Sequence, residues 1–200
     1  MKYVIDVVDA DAASDYAARW RDEVRRLAVD GALRTAELFR VTEPIRDVTY
    51  ALLSVHGFDS AATIEAVPGS ASARIVAVGG VERTVCHLEV ALSELTPTLP
   101  GHAWLINPFE ISEQEIPGVL DMWGRARDHM AASDGFLNAR LFRATSPSNK
   151  YNLFNVAQWR GAEDFKKSLG DKAYDRHRER SMNYRLHPSL CVQVHGLRFE

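Results

Sequence analysis

This sequence predicts an α+β fold built twice over, and three observations carry the prediction. The chain repeats itself at about half its length, each copy shows the same order of strand-like and helix-like segments, and a proline-rich stretch separates the copies. "AELFRVTEP" at 36–44 matches "ARLFRATSP" at 139–147 at six of nine positions, an offset of 103 residues. The same offset sets Trp20 on Trp123, and an offset of 104 sets "DGAL" at 30–33 on "DGFL" at 134–137. At an offset of 101, "VIDVV" at 4–8 parallels "LINPF" at 105–109, and "SVHGFDSAATI" at 54–64 parallels "NVAQWRGAEDF" at 155–165. Offsets that drift slightly are what small loop insertions in a duplicated chain produce. The segment "ELTPTLPG" at 94–101 has the proline, threonine and glycine content of a linker. It puts the boundary near Pro100, with one unit at 1–96 and a second at 101–200.

Each unit reads in the same order. "KYVIDVVD" reads as a strand, and Tyr16, Trp20, Val24 and Leu27 then recur at helical spacing. Strands follow at "LRTAELFRV" and "VTYALLSVHGF", and a short helix starts near Ser60. Gly79-Gly80 reads as a hairpin turn between "ARIVAV" and "VERTVCHLEV". In the second unit a strand at 103–109 precedes a helix from about Ile116, whose early Pro117 sits where proline is tolerated. Val119, Leu120, Trp123, Ala126 and Met130 would form its buried stripe. Strands at 136–145 and 150–159 come next, then a helix from Ala162, a second short helix at about 172–184, and a last strand from Leu190. The order β-α-β-β-α-β, twice, is that of two ferredoxin-like units, each a four-stranded antiparallel sheet with its helices on one face. The bare sheet faces also need cover. Two such sheets in one chain can cover each other, which gives an intramolecular dimeric α+β barrel, monomeric or further paired as a homodimer.

Bulk properties exclude several classes. A net charge of −3, with Lys and Arg scattered among Asp and Glu, offers no basic surface for nucleic acid. The opening "MKYVIDVVDAD" is interrupted by Asp6 and Asp9 and reads neither as a signal peptide nor as a membrane span, so no membrane partner is expected and the default location is the cytoplasm. Cys86 and Cys191 lack a CxxC partner and read as core thiols. The seven histidines show no HxH or HExxH spacing, so no metal site is expected. Nucleotide-binding glycine motifs and a G-x-S-x-G elbow are absent from the sequence.

The strand at 150–159 raises a question of its own. Tyr151, Leu153, Asn155, Ala157 and Trp159 leave one side; Asn152, Phe154, Val156 and Gln158 leave the other. With Phe154 and Val156 covering the second sheet, the face with Asn155 and Trp159 would look toward the unit's own helices, so a carboxamide and an indole would sit between sheet and helix.

From "AWLINPFEIS" through "NVAQW" to "HPSLCVQV" the second unit resembles the antibiotic-biosynthesis monooxygenases of the dimeric α+β barrel superfamily; the first unit does so more faintly. The resemblance implies oxidation of an aromatic polyketide, of anthrone type, to a quinone by molecular oxygen, with neither metal nor flavin nor any other cofactor. It also implies a pocket lined by Asn107, Asn155 and Trp159 as the catalytic constellation. Leu105, Phe109, Trp123, Leu153, Phe165, His177 and Arg178 are the expected substrate contacts. Uncharged donors suit such chemistry, because amide and indole N–H groups can be buried at less cost than ammonium or guanidinium groups. Asn155 and Asn107 would serve the substrate oxygen and a peroxide, and Trp159 would act as a further donor and a stacking wall.

The chain departs from the family pattern where some members have a Tyr six residues after the Trp, since Phe165 stands there and cannot pass a proton. The family Arg about twenty residues after the Trp falls on Glu179, flanked by Arg178 and Arg180. In the first unit Asp6, Ser54 and Phe58 replace Asn107, Asn155 and Trp159, so that unit reads as a structural partner. Trp20 and Trp123, at equivalent helix positions, read as core. "DRHRER" at 175–180 reads as a solvated helix face, and His177 is the histidine best placed for a base should that helix line the pocket. Haem-degrading relatives add a His about ten residues after the Trp, where this chain has "KSLG", which disfavours haem. A polyketide cyclase, or a carrier that only binds an aromatic intermediate, is the alternative reading of the same pocket.

Overall fold

The computed structural model describes residues 1–29, 31, 33–59, 79–170 and 172–199. Alternating and helical patterns become strands β1 (Lys2–Asp9), β2 (Leu33–Pro44), β3 (Tyr50–Phe58), β4 (Val81–Leu92), β5 (Ala103–Phe109), β6 (Phe136–Ala144), β7 (Leu153–Trp159) and β8 (Ser189–Arg198). The helices are α1 (Ala13–Val29), α2 (Ile116–Ala131), α3 (Ala162–Leu169) and α4 (Lys172–Ser181). The chain is thus α+β, with antiparallel strand pairs. The helix expected near Ser60 and the strand "ARIVAV" lie outside the described residues.

The described residues among 1–41, 49–88 and 193–200 form one compact unit, and those among 42–48 and 89–192 form the other. In the first, β1 pairs with both β3 and β4, and β3 pairs with β2, giving the order β4-β1-β3-β2. Helix α1 buries Tyr16, Trp20, Val24 and Leu27 against Val4, Val8, Leu38 and Leu52. That is the stripe its spacing predicts, and each such side chain contributes about 1.5–3 kcal/mol by leaving water.

In the second unit the order is β8-β5-β7-β6. A capping box formed by Ser112 and Glu115 precedes α2, and Pro117 sits in its first turn, where its missing N–H costs nothing. Ile116, Val119 and Met122 are the helix's buried residues, packed with Phe109, Leu141, Leu153 and Leu186. Leu120, Trp123, Ala126 and Met130 of the expected stripe are only partly covered, and the site explains why. Element ends differ from expectation by small margins: α4 stops at Ser181, and β7 starts at Leu153. Every residue of β7 is buried, so alternation there separates two covered faces rather than a wet one from a dry one.

Candidate active site

Between the β5/β7 face and helices α2, α3 and α4 of the second unit lies a cavity of about 320 Å³. Period-two geometry places its floor. Leu105, Asn107 and Phe109 come from β5, and Asn155, Ala157 and Trp159 from β7. Asn107 and Asn155 stand directly opposite each other in the strand register, which sets their Cβ atoms roughly 4.5–5.5 Å apart.

The partners of the two amides fix their orientation. Trp123 Nε1 of α2 donates to Asn155 Oδ1 at 3.1 Å, and the backbone N–H of His187 donates to Asn107 Oδ1 at 2.9 Å. An indole N–H and a peptide N–H can only donate, so each must meet a carboxamide oxygen. Each side chain therefore keeps its NH₂ group for another partner, and both side chains line the cavity. Asn155 is 7 % exposed, and its neighbours Ala157 and Trp159 are apolar or aromatic, a setting in which a hydrogen bond is stronger than in water.

Trp159 is 1 % exposed, and its Nε1 has no hydrogen-bond partner. Its ring meets Phe136 and Phe165 edge to face, with centroids 5.5 and 5.4 Å away. The indole plane is thereby held.

The helical wall is more polar. Tyr174, His177 and Arg178 of α4 line the cavity, with Arg127 of α2 and Arg46 from the β2–β3 connection. Among the described residues no Asp or Glu lines it. Arg178 is tied to Asp175 at 2.6 Å and Arg127 to Asp128 at 2.7 Å. Arg46 instead bonds the carbonyls of Ser181, Tyr184 and Leu186, closing the carboxyl end of α4, where a cation meets the negative end of the helix dipole. Burial pushes the Tyr174 hydroxyl up, against the pull of Arg178 and Arg46. Burial, the His129 ring, Arg180 and Arg125 all lower His177 below the ordinary histidine range.

Of the sequence-predicted site residues, Asn107, Asn155, Trp159, Leu105, Phe109, Trp123, Phe165, His177 and Arg178 line one cavity. Leu153 does not. It is fully buried in the core with Phe109 and Val119, because the side chain two residues before Asn155 falls beneath the first turns of α2. Trp123 corrects its reading as plain core: it is partly exposed, and its N–H orients Asn155. The "DRHRER" stretch is mostly a solvated face, with Arg176, Arg178, Glu179 and Arg180 exposed, while Asp175 and His177 are half-buried. Arg46, Arg127 and Tyr174 are cavity residues that sequence patterning does not single out. No motif signals Arg46, whose partners lie about 140 residues further along the chain.

Comparison with family models and with curated proteins returns no match. Among solved structures the chain is similar to a protein described as anthrone oxidase-like, with a TM-score of 0.74 at 12% identity, covering 98% of this chain and 92% of that one. It is also similar to a proposed monooxygenase from Lactobacillus acidophilus, with a TM-score of 0.60 at 9% identity over 98% and 95% of the two chains. A major regulator of staphylococcal pathogenesis matches at 0.57 and 9% identity over 98% of this chain and all of the other. At such identities the fold is what is shared, and these descriptions show that it carries more than one role. No helix among the described residues is long and apolar enough to cross a membrane.

Proposed function

We propose that the protein is a cofactor-independent monooxygenase that oxidises an aromatic, anthrone-like polyphenol to a quinone with molecular oxygen. The reading assumes the tandem scaffold that the repeat implies: two ferredoxin-like units, 1–96 and 101–200, with sheets closed on each other in one chain and the site in the second. The observation that carries it is the facing amide pair. Asn107 and Asn155 each have their oxygen engaged by a pure donor, so two NH₂ groups remain for a ligand in a mostly apolar cavity.

The chemistry asks little else of the protein. An anthrone that loses a proton becomes an electron-rich enolate. One electron passes to dioxygen, the radical pair combines to a carbon-bound peroxide, and loss of water leaves the new carbonyl. Negative charge grows on oxygen in these steps, and fixed neutral donors stabilise it without a solvent shell to reorganise. Asn155 and Asn107 would take the substrate oxygen and the peroxide. The unused Nε1 of Trp159 supplies a further donor, and its ring a wall for a flat substrate. The similarity to proteins described as anthrone oxidase-like and as a proposed monooxygenase agrees with this reading.

Purified protein without added cofactor should consume oxygen when given a dihydroxyanthrone. Asn155→Ala should lower kcat by roughly 10²–10³-fold, the usual cost of one oxyanion donor, with little change in thermal stability. An oxygen electrode decides it. Binding or cyclisation of the aromatic without oxygen uptake would hand the cavity to the cyclase or carrier reading.

A further inference from the structure

The reaction needs a proton acceptor, and the constellation of two amides and an indole provides none. Phe165, at the position where a phenol could have served, is buried edge-on against Trp159. The remaining cavity wall narrows the choice. Its ionisable members are Arg46, Arg127, Arg178, Tyr174 and His177. Guanidinium groups are not deprotonated in proteins. The Tyr174 hydroxyl is pushed up by burial, so at neutral pH it holds its proton and can only give one. His177 alone has a nitrogen lone pair to offer.

Its geometry is that of a base without a partner. Nδ1 of His177 is buried and makes no hydrogen bond. Aromatic neighbours hold the ring. Tyr174, one turn earlier on α4, has its centroid 5.7 Å away, and His129 of α2 has its own 6.4 Å away. His129 is itself fixed, with Nε2 3.3 Å from the carbonyl of Ser168 on α3, which can only accept. The charged groups around His177 are cationic or already paired. Arg125 faces it from α2 with Asp121 as partner, Arg178 is tied to Asp175, and Arg180 follows on α4. Among the described residues no Asp or Glu lines the cavity beside the ring, and burial with the cationic neighbours disfavours its protonated form.

We infer that His177, as the one neutral nitrogen base lining the cavity among the described residues, is the general base of this site, its imidazole ring taking the proton from the bound polyphenol and so generating the enolate that oxygen attacks. The inference rests on the monooxygenase reading only for the steps after proton transfer. The transfer itself does not need oxygen. It moves one proton from substrate carbon or hydroxyl to the ring nitrogen, and leaves an anionic substrate beside an imidazolium. Dehydration of the peroxide later takes that proton back as part of the departing water.

Anaerobic titration of the protein with a dihydroxyanthrone separates this step from the oxidation. Wild-type protein should convert the bound probe to its coloured anion at pH values where free probe stays neutral. The band should fade on acidification as the bound anion is reprotonated beside the imidazolium. His177→Ala and His177→Gln should bind the probe, followed by tryptophan quenching, yet leave it neutral, and imidazole should restore the band to the alanine variant. In air, both variants should lose roughly 10²–10⁴-fold in kcat, the usual contribution of a positioned base. A variant that ionises the probe as well as wild type overturns the assignment, as does wild-type protein that leaves the probe's ionisation unchanged. The two proposals fail separately: an ionised probe with no oxygen uptake sinks the oxygenase reading alone, and unchanged uptake in both variants sinks the base alone.

Discussion

Each of the two compact units holds a facing pair of strand residues above which the space is finished in opposite ways. On β1 and β3, Asp6 faces Ser54 in register, as Asn107 faces Asn155 on β5 and β7. In the first unit the space above that pair is occupied. The Tyr16 hydroxyl donates to Asp6 at 2.7 Å and meets Ser54 Oγ at 2.5 Å, and Arg83 clamps Asp6 through two bonds of 2.6 Å. In the second unit the helix residue equivalent to Tyr16 is Val119, which stops short and packs into the core. The helix tryptophans part company as well. Trp123 reaches Asn155, whereas Trp20 is buried with its Nε1 unpartnered. A phenol and an ion pair fill the space above the strand pair in the first unit, whereas a smaller residue and two amides leave a cavity in the second.

The largest test of that contrast is to break the ion pair. Asp6 is fully buried and the Arg83 side chain is 8% exposed. Burial pushes the Asp6 carboxyl up, but Arg83, its hydrogen bonds, His56 and Tyr16 outweigh this and bring it below the usual carboxylate range. Asp6→Ala strands the guanidinium in the core and should cost about 3–5 kcal/mol in urea unfolding. Replacing Asp6 and Arg83 together by Leu and Met should recover most of that, because an apolar pair removes both desolvation costs. A single variant as stable as wild type would show that the pair contributes nothing.

Acid should act on the same unit next. Burial above all lowers His56 to about 4, so it is neutral in the fold and takes a proton in the unfolded chain near 6.5. As pH falls from about 6.5 to about 4 the unfolded state binds more protons, and stability must decline, by on the order of 3 kcal/mol. Asp6, depressed in the fold, adds a further loss below that window in the same direction. Unfolding midpoints measured across the window should fall steadily for wild type and stay flatter for His56→Phe. A wild-type midpoint that rises on acidification would contradict the sign.

Much of this contrast is legible in the residues, and the unread part has a physical reason. Strand alternation and the offset between copies place Asn107, Asn155 and Trp159 on one face, because a period of two leaves no other choice. Pattern does not say what an amide's oxygen meets. The partner of Asn107 is a peptide N–H 80 residues away, and peptide groups carry no side-chain signal. Symmetry between copies suggests that Trp20 and Trp123 share a role. They do not: Trp123 donates to Asn155, whereas the Trp20 ring stacks on His195 and Ser54 is taken up by Tyr16. Leu153 shares the strand face of Asn155, yet that face is longer than the cavity. His177 and Arg46 are obscured by their surroundings, a charged helix and a loop whose composition reads as solvent-facing.

The smallest effect separates the two tryptophans. Trp123→Phe removes the donor that holds Asn155 Oδ1, so the amide can turn and present oxygen where NH₂ is required. A neutral hydrogen bond of this kind is worth about 0.5–1.5 kcal/mol, a loss of roughly two- to twelve-fold in kcat/KM for the aromatic substrate. Trp20→Phe is the matched change in the copy where the indole N–H has no partner. It should leave oxygen uptake unchanged and alter only stability, through the volume lost from the core around α1. If both variants slow oxygen uptake alike, orientation by Trp123 is not what distinguishes the open copy from the closed one, and the distinction would rest on the Asp6–Arg83–Tyr16 plug alone.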